Sequence, residues 1–208
     1  MYTVMITGGL GSGKSTLVRL LCEHGATSFD TDEIGHAILQ EDEQAKEELL
    51  DYFGDVILNE DGSINRAILA ELAFGSPQTL QALNDIMLPR IIERASEYLL
   101  NIHCVPLSNA PVMVLEVPLL SQVPEFAKLA DERIAVMAPF GVRLDRAIAR
   151  GMQRTDAEAR IKAQATDDEL KACTDIICEN NATLEQLKEW AKNWWNAHID
   201  AKDWEMPW

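Results

Sequence analysis

Residues 8 to 15 read Gly-Gly-Leu-Gly-Ser-Gly-Lys-Ser, which satisfies the pattern G-x-x-x-x-G-K-[ST]. The residue types are those that phosphate chemistry requires. Gly8, Gly9, Gly11 and Gly13 free the backbone to turn its N–H groups inward around phosphate oxygens. Lys14 can reach β- and γ-phosphates, and the Ser15 hydroxyl can ligate Mg²⁺. An apolar run before the glycines and a helical pattern after them supply the strand and helix that this motif needs, so the segment reads as a nucleoside triphosphate site.

Two further groups have spacing that could serve such a site. Asp30-Thr31-Asp32 follows a short β-type run. One carboxylate there could accept the proton of an attacking hydroxyl while the other holds a metal through water. The structural alternative is that Asp32 simply caps a helix beginning at Glu33. Arg143, Arg146 and Arg150 recur at i, i+3 and i+7, one face of a helix, in a segment from 141 to 165 with six basic against three acidic residues. That row could close over a triphosphate as a lid and stabilise charge as the phosphoryl group leaves.

The elements that must position these groups alternate between short strands and longer helices. Strands are expected at 4–7, 26–29, 112–115, 133–137 and, more weakly, 174–178. Helices are expected at about 14–24, 33–51 and 66–100, with a break at Ser76-Pro77 and a new helix opening at Pro89. Thr183 and Gln186 form a capping box before a last helix whose apolar stripe is Leu184, Leu187, Trp190, Ala191 and Trp194. Alternation of this kind predicts an α/β fold with a central parallel sheet of about five strands and helices on both faces. The strand-poor stretch from about 41 to 105 reads as a helical insertion in a single domain spanning 1–208, whose core is about 1–40 and 106–208.

Composition narrows the partners. The 208 residues carry a formal charge of −16, from 18 Lys and Arg against 34 Asp and Glu. Binding to a nucleic-acid backbone or an anionic membrane surface needs clustered basic charge, so neither is expected. The acidity is uneven: residues 21–62 hold thirteen acids against one Lys, whereas 1–20 hold two bases and no acid. The positive islands are the glycine loop with its helix and the 141–165 segment, where phosphate would be met. Cys22, Cys104, Cys173 and Cys178 lack disulfide or zinc spacing, and no apolar stretch reaches membrane-spanning length, so a cytoplasmic location is expected. A guanine-reading N-K-x-D and an L-S-G-G-Q signature are both absent. The D-E-I-G at 32–35 is too short to stand alone.

The segments T-G-G-L-G-S-G-K-S-T (7–16), D-T-D, G-S-I-N-R-A-I-L (62–69), L-N-D-I-M-L-P-R-I (83–91), E-V-P-L-L (116–120), the arginine row and a Gln near 164 together resemble the dephospho-CoA kinase family. The resemblance implies a P-loop α/β core, a helical CoA-binding region and a lid. It also implies transfer of the ATP γ-phosphate to the ribose 3′-hydroxyl of dephospho-CoA, with Mg²⁺. By position, Gly11, Ser12, Gly13, Lys14, Ser15 and Thr16 would hold ATP, and Asp32 or Asp30 would be the base. Arg146 and Arg150 would clamp the phosphoryl group, and Glu116 would hold a metal-bound water. Five places depart from the family pattern: His36 for an Arg, Leu88 for a His, Gln122 for a Glu, Arg143 for a Gln, and Glu179-Asn180-Asn181 where Asn-x-Gly is expected. These bear on the acceptor and the base of the nucleotide more than on the phosphate cradle. They keep in view another small-molecule or nucleoside kinase, or a nucleotide-binding regulator without phosphotransfer.

Overall fold

The computed structural model describes residues 2–104, 112–117 and 124–200. Five strands, β1 (Tyr2–Thr7), β2 (Thr27–Asp30), β3 (Val112–Glu116), β4 (Glu132–Met137) and β5 (Ile176–Glu179), form one parallel sheet in the order β2-β3-β1-β4-β5. The helices are α1 (Lys14–Glu23), α2 (Thr31–Glu41), α3 (Glu43–Phe53), α4 (Arg66–Ala73), α5 (Pro77–Cys104), α6 (Phe140–Ala149), α7 (Arg154–Ala163), α8 (Asp167–Ala172) and α9 (Leu184–Trp195).

Successive strand residues point to opposite faces, and both faces are covered, which is why the strands are apolar throughout rather than alternating. On one face Val4, Ile6, Val112, Val114, Ile134 and Val136 meet Leu17 and Leu21 of α1 and Leu187, Ala191 and Trp194 of α9. Each fully buried Leu contributes about 1.5–3 kcal/mol. On the other face Ala135 and Met137 pack against Leu170 of α8. Trp194 is buried because its indole Nε1–H finds a partner, donating to the buried Glu132 carboxylate at 2.7 Å. The expected capping box is present: Thr183 accepts from the Gln186 N–H, and the Gln186 side chain accepts from the Thr183 N–H. Leu184, expected in the core stripe, is instead 43% exposed.

The chain divides into two compact units, Met1–Asp30 with Pro106–Trp208, and Thr31–Val105. The second unit is helical and includes α2, which packs along α5: a Cβ on Gly35 would stand 3.6 Å from Ile91 Cδ1. Asp42 caps α3 by accepting from the Ala45 N–H, and Asn65 caps α4 by accepting from the N–H groups of Ala67 and Ile68. Helix α5 does not restart at Pro89 as expected; the proline lies inside one 28-residue helix. Pro89 supplies no N–H to the Asp85 carbonyl one turn back, and beside it the Arg90 guanidinium donates to the Ile86 carbonyl at 2.6 Å. Arg90 also takes Glu48 in a two-pronged bond at 2.8 and 3.1 Å, so the turn carrying the proline is held to α3. Pairing with Arg90 holds the Glu48 carboxyl below its usual range.

Candidate active site

The central strand β1 ends at Thr7 and the chain turns through Gly8–Gly13 into α1. In an open parallel sheet ligands bind beyond the carboxyl ends of the strands, beside the point where the strand order reverses, and β1 stands there between β3 and β4. The loop's glycines are required by contact as well as by conformation. Gly11 and Gly13 adopt φ of +75° and +102°. A Cβ on Gly11 would lie 2.3 Å from the Arg143 carbonyl, and one on Gly13 would lie 2.1 Å from Asn180 Nδ2. The buried Ser12 hydroxyl has no hydrogen-bond partner.

Lys14 and Ser15, the first residues of α1, converge on a single carboxylate. Lys14 Nζ pairs with Glu116 Oε1, and Ser15 Oγ donates to the same oxygen at 2.8 Å. Glu116 ends β3, is buried, and lies in register with Ile6 of β1 and with Asp30 of β2. The parallel register thus aligns two carboxylate-bearing residues on adjacent strand ends beside the phosphate loop. A hydroxyl and a carboxylate are hard oxygen donors and suit Mg²⁺, which keeps most of its shell for water and phosphate oxygens. Among the described residues, no group of three or more His, Cys, Asp or Glu is gathered to cage an ion. Asp32 is exposed in the first turn of α2, which begins at Thr31 rather than Glu33, so Asp32 is inside the helix rather than its cap.

The arginine row separates into three different environments. Arg150 is exposed at the C-terminal end of α6. Arg146 is half-buried and donates to the carbonyls of Gly11 and Ser12, both at 3.2 Å, and to the Asn180 carbonyl at 3.1 Å. Arg143 is buried; its Nε donates to the Leu10 carbonyl and its Nη2 to Gln164 Oε1, each at 2.9 Å. Burial pushes the Arg143 guanidinium below its usual range, while the field of Asp167 works in the opposite direction. Helices α6 and α7 form a hairpin with an apolar cluster of its own, Leu144, Ala147, Ala157 and Ile161, against which Leu10 of the loop packs.

Asn180 is the site residue that the sequence reading missed. It follows β5, its N–H donates to the Met137 carbonyl at 2.7 Å, and its Nδ2 donates to the Ser12 carbonyl at 2.7 Å. Read from Asn180, the segment Asn180-Asn181-Ala182 departs from Asn-x-Gly only at Ala182. The signal was present, but Glu179 belongs to the strand and the register was read one residue early. Beside it opens a cleft of about 420 Å³ lined by Gly13, Thr16, Arg146, Arg150, Asn180 and Leu184. Leu184 faces this cleft, which accounts for its exposure. Of the other departures, His36 contacts Arg66 and Leu88 is half-buried in α5. Pro118 to Leu120, Gln122, Trp204 and Trp208 lie outside the described residues.

A five-stranded parallel sheet carrying a glycine cradle, with Lys14 and Ser15 turned to a strand-end carboxylate, has the fold and site of a P-loop kinase. Residues 2–186 match the family described as dephospho-CoA kinase (CoaE). The dephospho-CoA kinase of Dehalococcoides mccartyi is 41% identical over 189 residues, covering 90% of this chain and 93% of the relative. That of Corynebacterium jeikeium is 38% identical over 196 residues, covering 94% and 98%. The chain belongs to the dephospho-CoA kinase family. Among solved structures, the crystal structure of TT1252 from Thermus thermophilus superposes with a TM-score of 0.76 at 29% identity, covering 95% of this chain and 97% of the other. A shikimate kinase from Acinetobacter baumannii, 14% identical with a TM-score of 0.53 over 97% and 95% of the two chains, shares the fold. No helix of the described residues is long and apolar enough to cross a membrane.

Proposed function

We propose that this protein phosphorylates the ribose 3′-hydroxyl of dephospho-CoA with ATP, giving coenzyme A and ADP. The observation that carries the reading is the convergence of Lys14 and Ser15 on Glu116 at the end of a glycine loop that Arg143 and Asn180 pack too closely to admit side chains, in a chain of this family. The loop from Gly8 to Thr16 holds the triphosphate, and the adjoining cleft, with Leu184 and Ala182 on its wall, takes the adenine. When ATP arrives, Lys14 exchanges its carboxylate partner for phosphate oxygens. Ser15 and, through water, Glu116 would hold Mg²⁺, which would supply positive charge to neutralise the phosphates.

Asp32 is the base. It accepts the proton of the 3′-hydroxyl as that oxygen attacks the γ-phosphorus, and the bond from phosphorus to the bridging oxygen breaks to release ADP. It is exposed in the first turn of α2. Asp30, in register with Glu116, would help to hold that metal site. Arg146 and Arg150, on the α6–α7 lid at about 141–165, stabilise the charge that spreads over the transferring group. The helical unit holds the CoA portion.

The test is ADP formation with Mg²⁺ and ATP against a panel containing dephospho-CoA, nucleosides, nucleoside monophosphates and sugar acids. Turnover with dephospho-CoA well above the ATP-only background is expected. Turnover confined to another acceptor would move the protein to a different kinase, and ATP binding without transfer to any acceptor would make it a regulator.

A further inference from the structure

Arg143 has no task in the chemistry above, yet it is the most enclosed arginine of the row, at 7% exposure. Its two acceptors, the Leu10 carbonyl and Gln164 Oε1, are neutral. Gln164 Oε1 also accepts the Leu10 N–H, at 2.7 Å. Both polar groups of residue 10 are therefore taken, and the Leu10 side chain is seated in the hairpin's apolar cluster. Leu10 stands midway along the phosphate loop, Arg143 lies in α6, and Gln164 directly follows α7. The loop is thus tied to α6 and to the end of α7 through the two peptide groups that flank one residue. Space for this exists because residue 9 is glycine: a Cβ there would lie 2.0 Å from Arg143 Nη2. Among the described residues Arg143 forms no ion pair, and Asp167 is the acid whose field favours its charge. A buried cation with only neutral acceptors leaves a desolvation cost that a nearby anion relieves.

We propose that Arg143 is a positioning residue for the phosphoryl donor, fixing the phosphate loop against the α6–α7 hairpin while its buried positive charge is answered by the phosphates of the bound nucleotide. The inference rests on the nucleotide reading of the loop and goes beyond it, because that reading gives Arg143 no task. Loop shape and lid position become coupled through residue 10. Charge at position 143 then strengthens nucleotide binding without entering the transfer step.

Three variants separate the charge from the packing. Arg143→Met keeps bulk and loses both donors and charge. It is expected to raise KM for ATP about tenfold or more, while kcat and KM for dephospho-CoA stay within about threefold. Arg143→Lys restores the charge and recovers part of the loss. Gln164→Glu keeps an acceptor for the Leu10 N–H but gives Arg143 a carboxylate inside the protein. Its Tm is expected to equal or exceed the parent's while KM for ATP rises several-fold. An unchanged KM for ATP in Arg143→Met, or in a Gln164→Glu variant of undiminished Tm, would overturn the proposal. So would equal damage to kcat and to both KM values. Should Arg143→Met fail to fold, Gln164→Glu decides alone. Calorimetric ATP binding to the same proteins keeps this test separate from the identity of the acceptor. A parent that binds ATP without phosphorylating dephospho-CoA, with binding weakened in the variants, would sink the acceptor assignment and leave the role of Arg143 standing.

Discussion

Glu116→Gln bears on stability and on catalysis with separable magnitudes. Glu116 Oε1 accepts from both Lys14 and Ser15, and the two charged side chains are only 15% and 11% exposed. Glutamine preserves the shape and an acceptor oxygen, so both donors keep a partner. What is lost is the opposite charge, which leaves the Lys14 ammonium with a neutral acceptor, a change of about 1–2 kcal/mol. For a chain of this size that lowers Tm by about 2–8 °C. In turnover the same change removes a negative charge from the metal site, for which a fall in kcat of about 10²-fold or more is expected, roughly 2.7 kcal/mol of transition-state stabilisation. The Mg²⁺ concentration for half-maximal rate should rise as well. The assay is coupled ADP release at saturating ATP and dephospho-CoA across a Mg²⁺ series, with a thermal melt of the same preparation. A variant with kcat within threefold of the parent and an unchanged Mg²⁺ requirement would refute the reasoning, whatever its Tm, and would leave Glu116 as a structural anchor for Lys14.

Asp32→Asn should lower kcat by about 10²-fold with KM for ATP little changed, as expected for loss of a base; undiminished turnover would return Asp32 to a role in the helix terminus. The Arg133 guanidinium, which grips Asp175 at 2.6 and 2.8 Å, holds its carboxyl below the usual range. The unfolded chain therefore binds the proton first, so the pair's stabilisation is complete above the ordinary carboxylate pKa and is lost as pH falls through the lowered folded value. Because both groups are about a third or more exposed, the contribution is small. The Tm difference between parent and Asp175→Asn should be a few degrees at pH 6 and should shrink as pH falls below the ordinary carboxylate range, and a gap independent of pH would contradict the pairing. Burial raises the Cys178 thiol to about 12, which leaves roughly one thiolate in ten thousand at pH 8. Native protein should spare Cys178 from a maleimide while the half-buried Cys22 reacts, and labelling at equal rates would show that β5 opens.

The strands were readable because a doubly covered parallel sheet needs unbroken apolar runs, and Val4–Thr7 and Val112–Leu115 can be little else. The cradle was readable because its chemistry demands rare residue combinations at fixed spacing. Features that depend on partners distant in sequence were not readable. Arg143 looked like one of three equivalent lid arginines, and its burial arises only when Leu10 and Gln164, 133 and 21 residues away, close around it. Leu184 has the spacing of a core residue but lies at the start of α9, beyond the edge of the packed face, where it meets the cleft. Pro89 carries the ordinary signal for a helix start. The helix nonetheless runs through it, with Arg90 of the same turn anchored on Glu48 of α3, a contact that local pattern does not contain. Asn180 was one residue from being read correctly, because the weak fifth strand extends through Glu179.

The most direct test of the account is the structure of the product. The protein incubated with Mg²⁺, ATP and dephospho-CoA should convert the acceptor to a species one phosphate heavier. That species should co-elute with coenzyme A, carry the new phosphate on the ribose 3′-oxygen by phosphorus NMR, and form in step with ADP. Consumption of ATP with dephospho-CoA unchanged, or a phosphate at any other position, would contradict it.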